Sequence, residues 1–310
     1  MPRRRRHCWR EAEGSMGAAD AVTRAGLAAA ASVAAGSSAA DSSPRAGSDQ
    51  VRFGGMALAN GVLLHGPTRW AAAVRTGDGR IVVRSGRKAV FARGPLAVLP
   101  GLRGIARLAE AVAVVAAVRR ALPEARLPFF NAGTLATALA AAVFGARLRR
   151  TGSGSFASEL AIGLVGLVPA LVALRDGRVA AYHGAEHKVI AAWEHGTDAV
   201  DEAREHERCG THLVAPMLAL TAAGNAALRR HGVRGPLAEG AVQLAAAGVA
   251  FELVAWSDRN RDRPLASALQ APGRLFQRVF GTREPAGDEL AVARAALAEL
   301  ARAEGLAGAT

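Results

Sequence analysis

The chain has 310 residues, with 39 Lys plus Arg against 26 Asp plus Glu, a formal net charge of +13 and 51% apolar residues. This hydrophobicity excludes wholesale disorder, and two cysteines are too few for a disulfide-built secreted domain. The length suits roughly two ordinary domains. Because the basic residues are scattered except at 3–6, we expect no specific nucleic-acid partner.

The first segment in chain order, residues 1–50, mixes Ala, Gly, Ser and Asp after a run of arginines. It has no regular apolar period, and Glu11, Asp20 and Arg24 interrupt the continuous apolar stretch that a signal peptide needs. We therefore expect a disordered tail with no function of its own. Cys8 belongs to this tail, and we expect no disulfide partner for it.

Residues 51–100 change to short β-prone runs, at 70–76, 80–84 and 89–93. Gly77-Asp78-Gly79 separates the first two runs, and an Asp-Gly turn between such runs is typical of a hairpin. Several glycines before them indicate either a shaped loop or a strand with close backbone approaches. The segment predicts a small β-rich soluble head.

Four apolar segments follow within residues 101–265, and we expect them to form a membrane core. Three contain no charge and the fourth contains only Glu252; the segments are 128–146, 160–174, 209–228 and 240–256. A spanning helix needs about 20 mostly apolar residues. Ala-rich helices also pack inside soluble bundles, but four such segments closed by Arg favour the membrane. The predicted fold is a mainly α integral membrane bundle of about four spans with a β-rich N-terminal head.

The remaining segments complete the predicted topology. Residues 103–118 carry charges at helical spacing beside an apolar run, which favours an interfacial or re-entrant helix over a span. Basic residues are more numerous near the span ends on the side of the head and of 175–208, so the positive-inside rule places that side in the cytoplasm of a multi-pass cell-membrane protein. Residues 266–310 end in an amphipathic helix, which we expect to pack on the head or on a second copy in a homo-oligomer. The lipid bilayer is the other expected partner.

The most informative motif is YHGAEHKVIAAWEH at 182–195. On a helix His183 and His187 lie one turn apart on one face, with Glu186 close to both. Two imidazoles can hold a divalent metal, and an unligated carboxylate beside them can take a proton from water there. His-x-x-Glu-His is the inverted form of the zinc-protease helix. The five-residue pattern alone does not distinguish a metal site from a chance occurrence of two exposed histidines at this spacing.

A second cluster strengthens the metal interpretation. His206, Cys209 and His212 are spaced by three, and His206 follows His187 by 19 residues. Five of the eight histidines thus fall between 183 and 212, which favours a shared site over scattered surface histidines. Cys209 is either a small buried apolar residue at a helix start or a thiolate activated by a metal or a neighbouring arginine.

Glu252 is an acidic residue within an otherwise apolar segment, AVQLAAAGVAFELVAW. Ionisable residues inside spans usually face a partner or a cavity. Two interpretations remain open at this point. Glu252 either reaches the interface, about one turn from the polar end of the segment, or serves the metal site as a third ligand or as a partner of a ligating histidine.

Several blocks, in this order, resemble the YqhQ-like bacterial family, a domain-of-unknown-function family (DUF 1385) described as predicted metal-dependent enzymes. They are Gly54-Gly55 with Gly61 and Gly66-Pro67, YHGAEHKVIAAWEHG at 182–196, RCGT at 208–211 after His206, FELVAW at 251–256 and LQAPGRLFQRVFGTREP at 269–285. The resemblance covers about 51–300 and implies an integral membrane protein with a His/Glu/Cys site and no established substrate. The chain departs from the family pattern at Met56, Asn60 and 63–65, which weakens a catalytic role for the 54–67 loop.

These observations lead us to expect a metal-dependent membrane enzyme, a hydrolase of unknown substrate, with zinc or another divalent metal as cofactor. The expected catalytic residues are Glu186 and Cys209, and the expected metal ligands are His183, His187, His206 and Glu252. Three ligands would leave a position open for water, whereas a fourth would close the site as a structural one. The alternative is a non-catalytic scaffold or assembly factor in which the His/Cys cluster is structural.

Overall fold

The computed structural model describes residues 51–175 and 177–306, so the predicted tail and Cys8 lie outside the described part of the chain. The N-terminal head contains a four-stranded antiparallel sheet in the order β1-β2-β3-β4. Its strands are β1 Gly54–Leu58, β2 Gly61–His65, β3 Arg69–Arg75 and β4 Ile81–Arg87. The predicted hairpin is thus confirmed as β3 and β4.

Helices dominate the rest of the chain. They are α1 Leu102–Ala121, α2 Ala132–Thr151, α3 Phe156–Val165, α4 Val168–Leu174, α5 Arg178–His195, α6 Val214–Arg230, α7 Pro236–Arg259, α8 Pro264–Phe276 and α9 Gly287–Ala303. Shorter pieces are a one-turn helix Pro95–Val98, a 3₁₀ turn Gly210–Leu213 and a π-helical turn Gln277–Gly281. The mainly helical fold with a small β-rich head is confirmed.

Both faces of the sheet are covered by helices, which is why β1 and β2 are buried at every position. One face packs on α5 and α9, with Val62 and Leu64 meeting Val189 of α5 and Leu300 of α9. The other face packs on the second half of α1 and the residues after it. Alternating apolar residues on β2 serve both faces, as a strand with opposite-facing neighbours requires. The amphipathic C-terminal helix α9 therefore packs on the head, one of the two predicted places.

The run at 89–93 is not a strand, contrary to the sequence-based prediction. Its backbone N–H groups at Phe91 and Ala92 instead donate to one carboxylate oxygen of Glu110, both at 2.8 Å. The second oxygen of Glu110 pairs with Lys88 at 3.3 Å, and both side chains are buried. The Glu110 carboxylate of α1 thus binds the backbone N–H groups that would have paired with a neighbouring strand.

Three helical segments are long and apolar enough to cross a membrane: Phe156–Leu174, which joins α3 and α4, Gly210–Arg230, which includes α6, and Pro236–Arg259, which is α7. The apolar segment predicted at 128–146 lies in α2 from residue 132 onward, and α2 is not among these three. Its residues are mainly Ala, Gly and Thr, and its last turn carries basic residues including Arg149. By composition and length, the described residues therefore contain three candidate spans, and the expected number of about four is not confirmed.

Candidate functional site

The candidate site is built around α5, which is buried along most of its length. The helix begins and ends at glycines in the left-handed region, Gly177 with φ 75° and Gly196 with φ 70°. A third glycine, Gly184, lets the segment after α8 cross the helix, since a Cβ there would lie 2.2 Å from the carbonyl oxygen of Arg283. The glycine of the HGAEH motif is thus required by packing beside the two histidines.

His183 and His187 each have one ring nitrogen fixed by the backbone. His183 Nδ1 donates to the carbonyl of Gly281 at 2.7 Å, and His187 Nδ1 donates to the carbonyl of Arg204 at 2.7 Å. The ring centroids are 4.3 Å apart. A proton held on Nδ1 leaves Nε2 with a lone pair, which is the usual state of a histidine that ligates a metal. Both imidazoles are therefore oriented by the protein with Nε2 available.

Cys209 completes a group of three donors with these histidines. Its Sγ lies 3.3 Å from Nε2 of His183, and one ligand atom from each of the three residues lies within 4.8 Å of the others. Ligands at 2.0–2.3 Å from a tetrahedral ion are roughly 3.3–3.6 Å apart, so the His183–Cys209 pair already has this separation. Burial raises the pKa of the Cys209 thiol, and hydrogen bonds with Thr211 oppose the shift. Without a nearby cation, Cys209 is therefore a thiol.

Glu186 lies between the two histidines in sequence, is only 5% exposed, and faces β1. Its Oε2 has no hydrogen-bond partner among the described residues. Burial raises the pKa of its carboxyl to about 8, although the neighbouring His183 lowers it. A buried oxygen without a partner beside three metal donors is where a general base or acid would act.

His206 lies beside this group without joining it. Its ring centroid is 5.6 Å from that of His187. The backbone N–H of Arg208 donates to its Nδ1 at 3.3 Å, which leaves the proton on Nε2, 3.6 Å from the carboxylate of Glu194. Glu194 also pairs with the guanidinium of Arg208. Burial, and then the charge of Arg261, lower the pKa of His206 to about 4. The structure gives His206 the contacts of a supporting residue.

His212 is fully buried and has a structural position. Its Nδ1 donates to the carbonyl of Gln270 at 3.1 Å, and Gln277 Nε2 lies 3.2 Å from its Nε2. The Gln277 amide also donates to the carbonyl of His206 at 3.1 Å and to Thr211 Oγ1 at 3.0 Å. Nδ1 of His212 is therefore hydrogen-bonded and its Nε2 lies beside the Gln277 amide, whose two hydrogens are shared among three neighbouring acceptors, so Gln277 holds the two histidine-bearing segments together.

Glu252, expected as a metal ligand, lies in a different cluster. Its carboxylate accepts hydrogen bonds from Arg103 Nε at 2.8 Å and Nη2 at 2.5 Å, and from the backbone N–H of Gly101 at 2.9 Å. These contacts join α7 to the start of α1. The structure thus does not bring Glu252 together with His183, His187 and Cys209, and Arg103, 149 positions away, neutralises its charge.

A cavity of about 1350 Å³ opens from the site into the helices. Its lining includes His183, Glu186, His187 and Cys209 on one side and apolar and small residues of α2, α3, α6 and α7 on the other. Residues 53–57 of the head also line it. A polar site joined to an apolar cavity is suited to a substrate with substantial apolar surface.

The motif spacing identified His183, His187 and Glu186, but not the residues that support them. Glu194 could have been predicted as a supporting residue, since it follows His187 by seven residues and so shares its helix face. Gln277 carried a weaker signal, as a polar residue within an apolar helical segment. The carbonyls of Arg204 and Gly281 had none, because a backbone contact has no side-chain pattern.

Comparison with known families gives one finding. The model of a family described as "Protein of unknown function (DUF1385)" matches residues 111–303, more than half of the chain. The matched region includes α5 and Cys209 and leaves out the sheet. Neither the curated proteins nor the solved structures gave a match.

Proposed function

Since the chain belongs to the family of unknown function DUF1385, whose description names no reaction, we propose from the site geometry that it is a metal-dependent membrane hydrolase. In this proposal His183, His187 and Cys209 hold a divalent ion, and Glu186 is the general base. The observation that carries it is the convergence of three donor atoms within 4.8 Å, two of them on imidazoles already fixed through Nδ1.

The donor set fits zinc best, because one thiolate and two imidazoles are ligands that zinc favours. The widest separation, at most 4.8 Å, would need to close by about an ångström for tetrahedral binding. When bound, the ion would supply Lewis-acid chemistry to the reacting group. With His206 held by Arg208 and Glu194, three protein ligands leave one position for a reactant.

Glu186 is the residue that moves the proton in this scheme. Its Oε2 is buried and has no partner among the described residues, and its ionised form, which a pKa of about 8 makes the minor form at pH 7, can accept a proton from an attacking water. Glu186 is packed between α5 and β1, since a Cβ at Gly55 would lie 2.6 Å from its Oε1. The chain thus holds its candidate base in place before a substrate enters.

The topology that we propose has a fourth crossing helix, α2, and a site on the cytoplasmic side. The linker before α2 contacts the head, where Ala59 N–H donates to the carbonyl of Arg126 at 2.7 Å. The last turn of α2 contacts the first turns of α3 and α7. Arg149 lies 3.4 Å from Glu159 of α3 and 3.6 Å from Glu239 of α7. These contacts support a crossing by α2 that its composition alone does not indicate.

Metal analysis of the purified protein tests the proposal. We expect about one zinc per chain in wild type and loss of it in His187→Ala and in Cys209→Ser. His231→Ala, which changes an exposed histidine directly after the end of α6, should retain the zinc fully. Glu186→Gln should keep the metal and fail to complement a deletion. Metal-free wild-type protein that complements a deletion would overturn the proposal.

A second candidate chemistry rests on the 3.3 Å contact between Cys209 Sγ and His183 Nε2. With His183 Nδ1 held by Gly281, this is the arrangement of a thiol nucleophile and its base. It predicts that His187→Ala remains active and that Cys209→Ser does not.

The scaffold alternative predicts that Glu186→Gln complements a deletion fully at normal protein level.

A further inference from the structure

The strand β1 has an unpaired edge beside the candidate site. Among the described residues it is the first strand of the sheet and pairs only with β2, through a two-residue turn that makes Leu58 and Gly61 the closing hydrogen-bonded pair. Alternation along the strand then directs the N–H and C=O groups of Gly55 and Ala57 away from β2. Within 51–175 and 177–306, no hydrogen bond is recorded to these outward groups.

This edge faces the cavity. Gly55 and Ala57 both line it, together with Glu186 on one side and Leu108 of α1 on another. Unpaired backbone groups in a largely apolar cavity carry a desolvation penalty that a bound partner would remove. Such an edge is also the surface to which extended peptides add in β-augmentation.

The edge and the site are in contact. A Cβ at Gly55 would lie only 2.6 Å from Glu186 Oε1, so the candidate base lies over the α5-side face of the edge strand β1, and both line the same cavity. A strand added to β1 would lie about 4.8 Å from it. The peptide bonds of that strand would pass the carboxylate of Glu186 and the donors His183 and Cys209, which line the same cavity.

We propose that the substrate is an apolar stretch of polypeptide that binds as an added strand on the free edge of β1. This inference rests on the proposed hydrolase and names its substrate class. Hydrolysis consumes one water: its oxygen bonds to the peptide carbonyl carbon, the C–N bond breaks, and Glu186 passes a proton to the leaving nitrogen. The products are a carboxylic acid and an amine.

A lipid fits the same cavity less well. An acyl chain can cover the apolar lining, but it has no series of donors and acceptors to match Gly55 and Ala57. An extended peptide offers both at the strand repeat, and its apolar side chains can fill the space between the helices. The hydrogen-bonding edge therefore favours a polypeptide over a lipid.

Two N-methylated peptides of equal composition test the strand. Both are fluorescent nine-residue Ala/Leu peptides with four N-methyl groups, placed on alternate residues in one and on consecutive central residues in the other. Alternate methylation leaves one edge able to pair, whereas consecutive methylation blocks both edges. Binding is measured by fluorescence anisotropy on chelator-treated full-length protein, and cleavage on the zinc-loaded protein.

We expect the alternately methylated peptide to bind within about twofold of the unmethylated one. The consecutively methylated peptide should bind about tenfold more weakly, since at least two hydrogen bonds are lost. Equal affinities for the two methylated peptides would overturn the inference, because apolar contact alone would then explain binding.

Other outcomes separate the two proposals. Zinc-loaded protein that binds neither peptide and hydrolyses phosphatidylethanolamine vesicles would overturn the polypeptide substrate and leave the hydrolase standing. A chain that binds no metal but shows the edge-dependent difference would overturn the hydrolase and support β1 as a strand-binding edge.

Discussion

Gly55 is the residue at which the sheet comes closest to the candidate site. We expect Gly55→Ala to displace Glu186, because the added methyl would lie 2.6 Å from Glu186 Oε1 and 2.8 Å from the carbonyl oxygen of Leu63. Overpacking of this kind costs about 1–3 kcal/mol of folding stability. The variant should keep its metal, since no ligand moves, and should complement a deletion poorly.

Gly77→Ala is the matched control for this substitution. Gly77 lies in the exposed turn between β3 and β4, and no heavy atom lies within 4 Å of an added Cβ. Thermal unfolding in detergent and metal content should both match wild type there. A Gly55→Ala protein with wild-type melting temperature and complementation would show that β1 and Glu186 are not tightly coupled.

At the residue scale, contacts between residues close in sequence could be predicted, and contacts between residues far apart in sequence could not. His183 and His187 are one helical turn apart, so their shared face follows from spacing. Cys209 joins them only through the fold, but its place in a short His-rich stretch made it a candidate. The pairing of Glu252 with Arg103 could not be predicted, because Arg103 lies 149 positions away and neither local sequence pattern indicates the other.

At the element scale, one buried carboxylate joins three helices. Glu159 of α3 pairs with Arg229 of α6 at 2.7 Å and with Arg149 of α2 at 3.4 Å, and Asn225 of α6 donates to it at 3.3 Å. We expect Glu159→Gln to destabilise the fold by about 3–5 kcal/mol, because it removes the carboxylate paired with the partly buried Arg229 and leaves Arg149 with Glu239 alone. The measurement is thermal unfolding in detergent.

Glu124→Gln is the control, because Glu124 is an exposed carboxylate in the linker before α2 and the substitution makes the same charge change. Its melting temperature should stay within about 1 °C of wild type, as surface substitutions usually change stability by less than 0.5 kcal/mol. Equal melting temperatures for the two variants would mean that the ion cluster does not hold α2, α3 and α6 together.

The elements themselves were largely predictable. Turn chemistry at Gly77-Asp78-Gly79 located the β3–β4 hairpin, and apolar length located the three candidate spans. The run at 89–93 had the composition of a strand but no neighbour to pair with, because the Glu110 carboxylate binds its backbone. Composition reports what a segment can form, and tertiary contacts decide whether it does.

For the whole molecule, the main difference from the sequence-based division is that the head is not built from 51–100 alone. Its sheet is enclosed by α5, by α9 and by the second half of α1. The helix with the candidate ligands therefore belongs to the core of the head as much as to the membrane region. The site lies where the two regions meet, which explains a cavity lined by both.

That arrangement makes a prediction about topology. The head packs directly on α5, so the β3–β4 turn and the loop after α5 must lie on one side of the membrane. In the topology that we propose, the loop after α6 lies one crossing away on the other side. We expect Gly77→Cys and Asp201→Cys to react with a membrane-impermeant maleimide only after permeabilisation, and Val233→Cys to react in intact cells; all three positions are exposed.

A fourth reporter, Ser153→Cys, decides whether α2 crosses the membrane. Ser153 is exposed in the turn between α2 and α3, next to the ion cluster of Arg149 and Glu159. If α2 crosses, Ser153→Cys reacts in intact cells as Val233→Cys does. Labelling of Ser153→Cys only after permeabilisation would contradict a crossing by α2. It would also place the two partners Glu159 and Arg229 on opposite sides of the bilayer, which their 2.7 Å ion pair forbids.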